Sequence, residues 1–287
     1  MKIGAFATFM SPLGTPEFVA DLGRRLEQAG LDSLWMGEHV VLFDEMEFPY
    51  PGSRDGRIPV PEGGGLLDTV ATFGYLAHAT TTLRLGTGIA LISQRNPIYT
   101  AKEFATLDWL TGGRIDFGIG VGWCKEEVQA CGYTWEDRGE RSDEFLELIT
   151  RLWTEPVACY RGKHFQLEPC RLDPKPVQKP HVPIIVGGHS PRALRRAAEF
   201  GAGWYGFGLD PAGTVRALER LEQALAASGR CRDGFEVIVT PDTVDDDAIR
   251  AFQDLGVDRL VLHLGSQRAE KVTRRIDELG RFVTVAA

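Results

Sequence analysis

Strand-like and helix-like segments alternate along the whole chain, and this order constrains the fold more than any other feature. Eight apolar segments of strand length are each followed by a helix-like segment, as where Phe145, Leu148, Ile149 and Leu152 keep the i, i+3, i+4, i+7 spacing. Three helices end in the same way before the next strand, with a glycine suited to the left-handed conformation: "AGLDSLW", "FGAGWYG" and "LGVDRLV". Strict alternation over eight units predicts an α/β fold of the (βα)₈ TIM-barrel type, because open sheets usually use fewer units.

One stretch interrupts the alternation. Over residues 156–183, the segment "EPVACYRGKHFQLEP", which begins at Glu155, resembles a small hairpin, and five prolines lie between positions 169 and 183. We therefore expect an insertion between strands 4 and 5 of the barrel. Because single barrels of this type commonly exceed ~250 residues, the prediction is one domain over residues 1–287.

Charge and cysteine usage narrow the class of protein. The formal net charge is −8 and the basic residues are scattered, which argues against a nucleic-acid or anionic-membrane partner. The five cysteines include no C-x-x-C pair, and no segment approaches 18 uninterrupted apolar residues. The sequence predicts a soluble, cytoplasmic protein. We expect no metal site, because the strand ends lack the clustered histidines and carboxylates of metal-dependent barrel hydrolases.

The second strand ends in "WMGEHV", which carries Glu38 and His39 to the C-terminal edge of the barrel, where barrel enzymes have their active sites. An imidazole exchanges a proton near neutral pH, and an adjacent carboxylate can orient it or bind a ligand donor. The alternative is a histidine that only pairs with a neighbouring loop. His263, after the eighth strand, has the same location without a neighbouring acid.

Glycines follow the fourth strand in "GRIDFGIGVGW", residues 113–123. A dinucleotide fingerprint fails in both registers, because its third glycine would fall at Trp123 or Lys125. The glycines still indicate that something lies against this strand edge. The third strand, "LRLGTGIAL", also carries two glycines near its end, which fit either a bulge beside a ligand or ordinary barrel geometry.

The fifth strand continues into "PIIVGGHSPRALRRAA". Ser190 can cap the following helix and Pro191 suits its first position. Gly187 and Gly188 are expected to present two free backbone N–H groups beside the positive helix N-terminus, which predicts an anion or phosphate site. Helix capping alone is the alternative, although it leaves the glycine pair unexplained.

Three segments together resemble the luciferase-like monooxygenase superfamily, specifically the branch that uses the deazaflavin coenzyme F420. They are "RLGTGIALISQRNPIYTAKEFATLDWLTGGRIDFGIGVGW", "ACGYTWEDRGERSDEFLELITRLW" and "PIIVGGHSPRALRRAAEFGAGW". The resemblance implies a (βα)₈ barrel with an insertion, usually a homodimer, that holds a flavin-like ring over the barrel mouth.

The resemblance also assigns residues. It implies that His39 is catalytic, that Glu38 is a neighbouring acid in contact with the coenzyme, and that a non-prolyl cis peptide at Gly88–Ile89 lies behind the ring. The cofactor-binding residues that we predict are Gly88, Ile89, Gly120, Gly122, Trp123, Gly187, Gly188, His189 and Ser190. In these dehydrogenases an acid follows the glycines closely, but Lys125 stands there in this chain. We interpret Glu126 and Glu127 as first-turn helix residues favoured by the helix dipole.

The implied activity is hydride transfer between F420 and a small organic substrate, with His39 moving the accompanying proton. Reduced FMN in the same place would instead support a two-component, oxygen-dependent monooxygenase. The third alternative is a flavin-binding barrel without catalysis.

Overall fold

Eight parallel strand segments close into a barrel in the computed structural model, which describes residues 1–50, 53, 55–265 and 269–286. In chain order the strands are β1 (Lys2–Phe6), β2 (Ser33–Met36), β3 (Arg84–Thr87) with its short continuation β4 (Ala90–Leu91), β5 (Ile115–Gly120), β8 (Ile184–Gly187), β9 (Gly203–Phe207), β10 (Glu236–Thr240) and β11 (Arg259–His263). Strand β1 pairs with β2 and β11, and β3 pairs with β5, which closes the ring. The predicted TIM barrel is confirmed.

Helices follow the strands and cover the outside of the barrel. They are α1 (Pro16–Gln28), α2 (Thr69–Ala79), α3 (Pro97–Thr111), α4 (Lys125–Ala130), α5 (Arg138–Thr154), α6 (Pro191–Phe200), α7 (Pro211–Ala227), α8 (Asp246–Asp254) and α9 (Ala269–Val285). The predicted caps are present: Thr15 accepts the Phe18 N–H at 3.2 Å, and Ser190 accepts the Ala193 N–H at 3.2 Å. None of the described helices is long and apolar enough to cross a bilayer.

The predicted insertion lies between β5 and β8, the fourth and fifth barrel strands. Its strands β6 (Ala158–Arg161) and β7 (Gln166–Cys170) form an antiparallel hairpin that is separate from the barrel sheet. The hairpin is fastened to α5, where Glu144 accepts the backbone N–H of His164 at 2.8 Å and Glu147 accepts the Tyr160 hydroxyl at 2.7 Å.

Buried charges lie at the N-terminal ends of the strands. Arg259 is 2% exposed and lies 2.9 Å from Asp116 and 2.8 Å from Glu236. Arg84 binds the same Asp116 carboxylate. Above this layer an apolar cluster that includes Trp35 fills the barrel interior. The barrel is thus packed below its mouth, and the large cavity lies at the C-terminal end.

Candidate active site

A cavity of about 1960 Å³ opens at the C-terminal ends of the barrel strands. Sites for one small ligand usually occupy ~300–1,000 Å³, so this cavity has room for two molecules. Every residue that the sequence predicted for the site lines it: Glu38, His39, Gly88, Ile89, Gly120, Gly122, Trp123, Gly187, Gly188, His189 and Ser190.

His39 is held by a buried carboxylate on a different strand–helix unit. Its Nδ1 lies 2.8 Å from Oε2 of Glu127, whose side chain is completely buried, whereas 12% of the His39 side chain is exposed. The other oxygen, Oε1, accepts the backbone N–H of Val40 at 2.6 Å. A proton on Nδ1 therefore has a fixed acceptor, which leaves Nε2 as the nitrogen available for proton exchange.

The interpretation of Glu127 as a first-turn helix residue is correct for its position, but it leaves out what the carboxylate binds. Although it lies in the first turn of α4, its carboxylate is fully engaged by the segment that follows β2. Glu126 fits the original interpretation better, because it is partly exposed and accepts the Glu47 N–H at 2.8 Å. This hydrogen bond lowers the pKa of Glu126. The signal for Glu127 was its location just beyond a barrel strand, the same rule that selected Glu38.

The Glu38 carboxylate binds residues that follow the third barrel strand. It accepts the Leu91 N–H at 2.7 Å and the Nε–H of Arg95 at 2.9 Å. Arg95 in turn lies 3.0 Å from Glu103. Glu38 thereby ties the end of β2 to residues 88–95 around β4. We call the cavity-lining residues of this segment, Gly88, Ile89 and Leu91, the cavity floor.

Ile89 forms part of that floor, and the Gly88–Ile89 peptide is cis, as the resemblance implied. A Cβ on Gly120 would overlap Cδ1 of Ile89, and a Cβ on Gly187 would come within 3.1 Å of Ile89 Cγ2. A Cβ on Gly118 would overlap the backbone oxygen of Thr87. The space beside Gly118 and Gly120 is therefore filled by the protein, so the close approach that the glycines of this strand indicated is made at these two positions by Thr87 and Ile89.

The start of α6 differs in one respect from the prediction. The N–H of Gly188 is not free, because it donates to the Tyr205 carbonyl at 3.3 Å. Gly188 has φ +108°, a conformation that favours glycine. Next to it, His189 Nε2 accepts the Phe207 N–H at 3.2 Å, and burial lowers the pKa of His189. Its imidazole is thus neutral near pH 7.

Four arginines border the same side of the cavity: Arg138, Arg192, Arg195 and Arg196. Asp143 binds Arg196 at 2.6 Å and Arg195 at 3.1 Å. Arg138 stacks on Trp135, with Cζ 3.5 Å from the ring centroid. Burial, followed by the positive charge of Arg192, lowers the pKa of Arg138. Sequence reasoning did not single out these side chains, and four carboxylates line the cavity beside them: Glu136, Asp137, Glu140 and Asp143. Arg192 and the positive N-terminal end of α6 still suit an anion.

Aromatic side chains border both ends of the mouth. The Trp123 ring lies 5.7 Å from His39 and 5.4 Å from Tyr50, centroid to centroid. Across the cavity, His263 lies 5.0 Å from Phe6 and 5.4 Å from Phe207. Burial and the nearby Arg275 lower the pKa of His263, which keeps its imidazole neutral.

The fold and the cavity define an α/β-barrel protein with a large ligand site at the mouth, where barrel enzymes have their active sites. The family model for luciferase-like monooxygenases matches residues 1–279. The chain belongs to this family, whose members are oxidoreductases, and the resemblance seen in the sequence is confirmed.

Known proteins similar to this chain include an uncharacterized protein and proteins whose names give one of two cofactors, FMN or F420. An uncharacterized protein of Mycobacterium tuberculosis is 29% identical over 262 residues, 91% of this chain and 92% of its own. An FMNH(2)-dependent dimethylsulfone monooxygenase of Pseudomonas putida is 38% identical over 141 residues, 48% of this chain and 38% of its own. The structure of an F420-dependent secondary alcohol dehydrogenase in complex with an F420-acetone adduct has the same fold, with a TM-score of 0.79 at 18% identity over 100% of this chain and 99% of that one.

Proposed function

We propose that this protein is an oxidoreductase that transfers a hydride between coenzyme F420 and a small organic substrate at the barrel mouth. The observation that carries the proposal is the His39–Glu127 pair at a cavity large enough for two molecules. Hydride transfer to or from a carbon that bears oxygen requires a proton to move at that oxygen. A histidine with one nitrogen held by a buried carboxylate is suited to that step.

The residues at the cavity fit a flat ring with an anionic tail. Ile89, Gly88 and Trp123 would hold the ring, and Ser190 with the nearby Arg192 would meet the phosphate. A bound F420 would supply the hydride donor or acceptor, while the protein orients the reactants. Glu38 has a positioning role in this proposal, because its described contacts with Leu91 and Arg95 keep the floor in place.

The second candidate is an oxygen-dependent monooxygenase that uses reduced FMN. The similarity to an FMNH(2)-dependent monooxygenase favours it. The two candidates predict opposite oxygen dependence, because a deazaflavin lacks the ring nitrogen that makes reaction of a reduced flavin with oxygen easy. A barrel that binds a flavin without catalysis would give no turnover with either cofactor.

Titration of the purified protein with F420 and with FMN tests the proposal. Each cofactor would be added oxidised and then after anaerobic reduction, with ring fluorescence and absorbance as the readout. We expect F420 to bind at least about tenfold more tightly than FMN. Tighter binding of FMN would move the assignment to the monooxygenase.

His39→Ala and His39→Asn separate binding from chemistry. Both variants should retain coenzyme affinity while turnover falls about 10²- to 10⁴-fold, the usual contribution of a general acid or base. Unchanged turnover would remove His39 from the mechanism.

We also propose a homodimer in which α2 and α3 of two copies meet. Large apolar side chains are exposed on these adjacent helices: Tyr75 is 46% exposed on α2, and Tyr99 and Leu110 are 73% and 69% exposed on α3. Apolar side chains concentrated on one surface are typical of protein interfaces.

A further inference from the structure

One part of the cavity remains after the proposed coenzyme residues are assigned. Two segments line it: residues 7–22, which follow β1, and residues 58–66 of the loop before α2. The residues of these segments that line the cavity include Thr8, Met10, Leu13, Phe18, Ile58 and Leu66. We call this region the apolar lobe.

The apolar lobe is built by direct pairing of its two segments. Met10 and Leu66 form an antiparallel bridge, and Leu67 donates its N–H to the Phe9 carbonyl at 2.9 Å. Ser11 also donates its N–H to Gly65 at 2.9 Å. These backbone bonds fix the two walls relative to one another, so the lobe is a formed pocket of the described structure.

The apolar lobe differs from the rest of the cavity in the charge of its lining residues. Among the described side chains with which these two segments line the cavity, none is ionisable. The arginines that line the described cavity all lie on α5 and α6, the side proposed for the coenzyme phosphate. An anionic group in the lobe would lose its hydration without a cation to replace it.

The apolar lobe reaches the proposed proton-transfer group. His39 and Leu66 line the same large cavity, and both also border a separate recess of about 150 Å³. The chain that leaves β1 is also bonded to β2, since Ala7 donates its N–H to the Trp35 carbonyl at 2.9 Å. A molecule whose body lies in the lobe can therefore present its end to His39.

We infer that the substrate is an uncharged alcohol or carbonyl compound whose apolar body lies in the apolar lobe and whose oxygen meets His39. This inference rests on the proposed function and adds the substrate class to it. Sugar phosphates and carboxylates are excluded as good substrates, because the lobe has apolar walls and no cation among its described residues.

The test uses the protein loaded with whichever coenzyme the titration shows to bind. The probes are the 2-alkanols from 2-butanol to 2-octanol, octanoate and glucose 6-phosphate, and binding is followed by the change in coenzyme fluorescence or absorbance. Burial of one further methylene should tighten alkanol binding about threefold to fourfold until the lobe is full. Octanoate and glucose 6-phosphate should bind at least about tenfold more weakly than 2-octanol.

The variant Leu13→Lys tests whether the absence of a cation in the apolar lobe sets the preference for uncharged molecules. Leu13 lies at the rim and is 43% exposed, so a lysine there should not disturb folding. The new cation should weaken the binding of 2-octanol and strengthen the binding of octanoate. The matched control is Val157→Lys, an exposed apolar residue away from the cavity, which should leave both affinities unchanged.

The outcomes distinguish the two proposals. If neither coenzyme binds, the proposed function fails and this inference falls with it. If a coenzyme binds but alkanol affinity does not depend on chain length, or if glucose 6-phosphate or octanoate binds more tightly than 2-octanol, the substrate class alone is overturned.

Discussion

Nδ1 of His39 lies 2.8 Å from Oε2 of Glu127, and the same carboxylate accepts the Val40 N–H through Oε1. The two residues lie 88 positions apart in the sequence. One glutamate thus orients the imidazole and also holds the backbone next to it.

Glu127→Gln should lower turnover by about 100-fold while coenzyme affinity stays close to that of the native protein. The amide oxygen can still accept the Val40 N–H, but an amide N–H that donates to Nδ1 would place the imidazole proton on Nε2, the wrong tautomer for a base. The measurements are kcat as a function of pH, KM and the thermal midpoint. A merely structural role would change the midpoint without changing the pH profile.

The control is Glu126→Gln, one residue earlier in α4, whose carboxylate accepts the Glu47 N–H instead. It should retain nearly full turnover. Equal losses in the two variants, or full activity of Glu127→Gln, would contradict the role of Glu127.

Gly120→Ala should destabilise the fold by about 1–3 kcal/mol, because the new methyl group would overlap Ile89. The free energy of unfolding from urea titration measures this. Ile89→Ala in the same chain should recover part of the loss by making room. Gly118→Ala should not be recovered by any side-chain change, because its methyl group would meet the Thr87 backbone oxygen. Gly74→Ala, on α2 with open space around it, is the control and should be neutral or slightly stabilising.

Local sequence patterns were sufficient to predict the strands, the helices and the helix caps. Thr15, Ser190 and Pro191 could be interpreted from the sequence because a cap bonds within three residues of itself. The barrel itself followed from the regular alternation of segments. The strand-end rule then placed Glu38 and His39 at the mouth without any knowledge of their contacts.

Long-range partners could not be predicted in the same way. The carboxylate that orients His39 is on α4, and Arg95, which binds Glu38, follows β4, so both pairings exist only after the barrel closes. The same holds for Gly120, where the sequence indicates a close approach but cannot say whether a ligand or Ile89 makes it.

Because of Glu27, the free energy of unfolding should change with pH in the acidic range. Burial alone would raise its pKa, but the backbone N–H groups of Thr82, Leu83 and Thr81 and the Thr82 hydroxyl bind the carboxylate and lower the pKa to about 2. A depressed folded-state pKa stabilises the protein above the ordinary value of 4.5, and this contribution is lost as the pH falls toward 2.

Glu27→Gln should therefore unfold at a lower urea concentration than the native protein at pH 7, and the difference should shrink between pH 4.5 and about 2. Glu17→Gln, an exposed first-turn position of the same helix, is the control. A difference for Glu27→Gln that stays constant over this pH range would contradict the assignment.

Leu110→Lys should convert the proposed homodimer into a monomer. Leu110 and Tyr99 lie three turns apart on the outer face of α3, so a lysine at 110 would place two like charges and their hydration at the centre or edge of a symmetric contact. The substitution is near the C-terminal end of the helix, where a cation interacts favourably with the helix dipole, so the folded monomer should not be weakened. Light scattering after size-exclusion chromatography should give twice the chain mass for the native protein and for Val215→Lys, a matched exposed position on α7, but a single chain mass for Leu110→Lys. A native protein that elutes as a monomer would contradict the dimer itself, whereas a Leu110→Lys variant that remains dimeric would show that the two copies meet through another face.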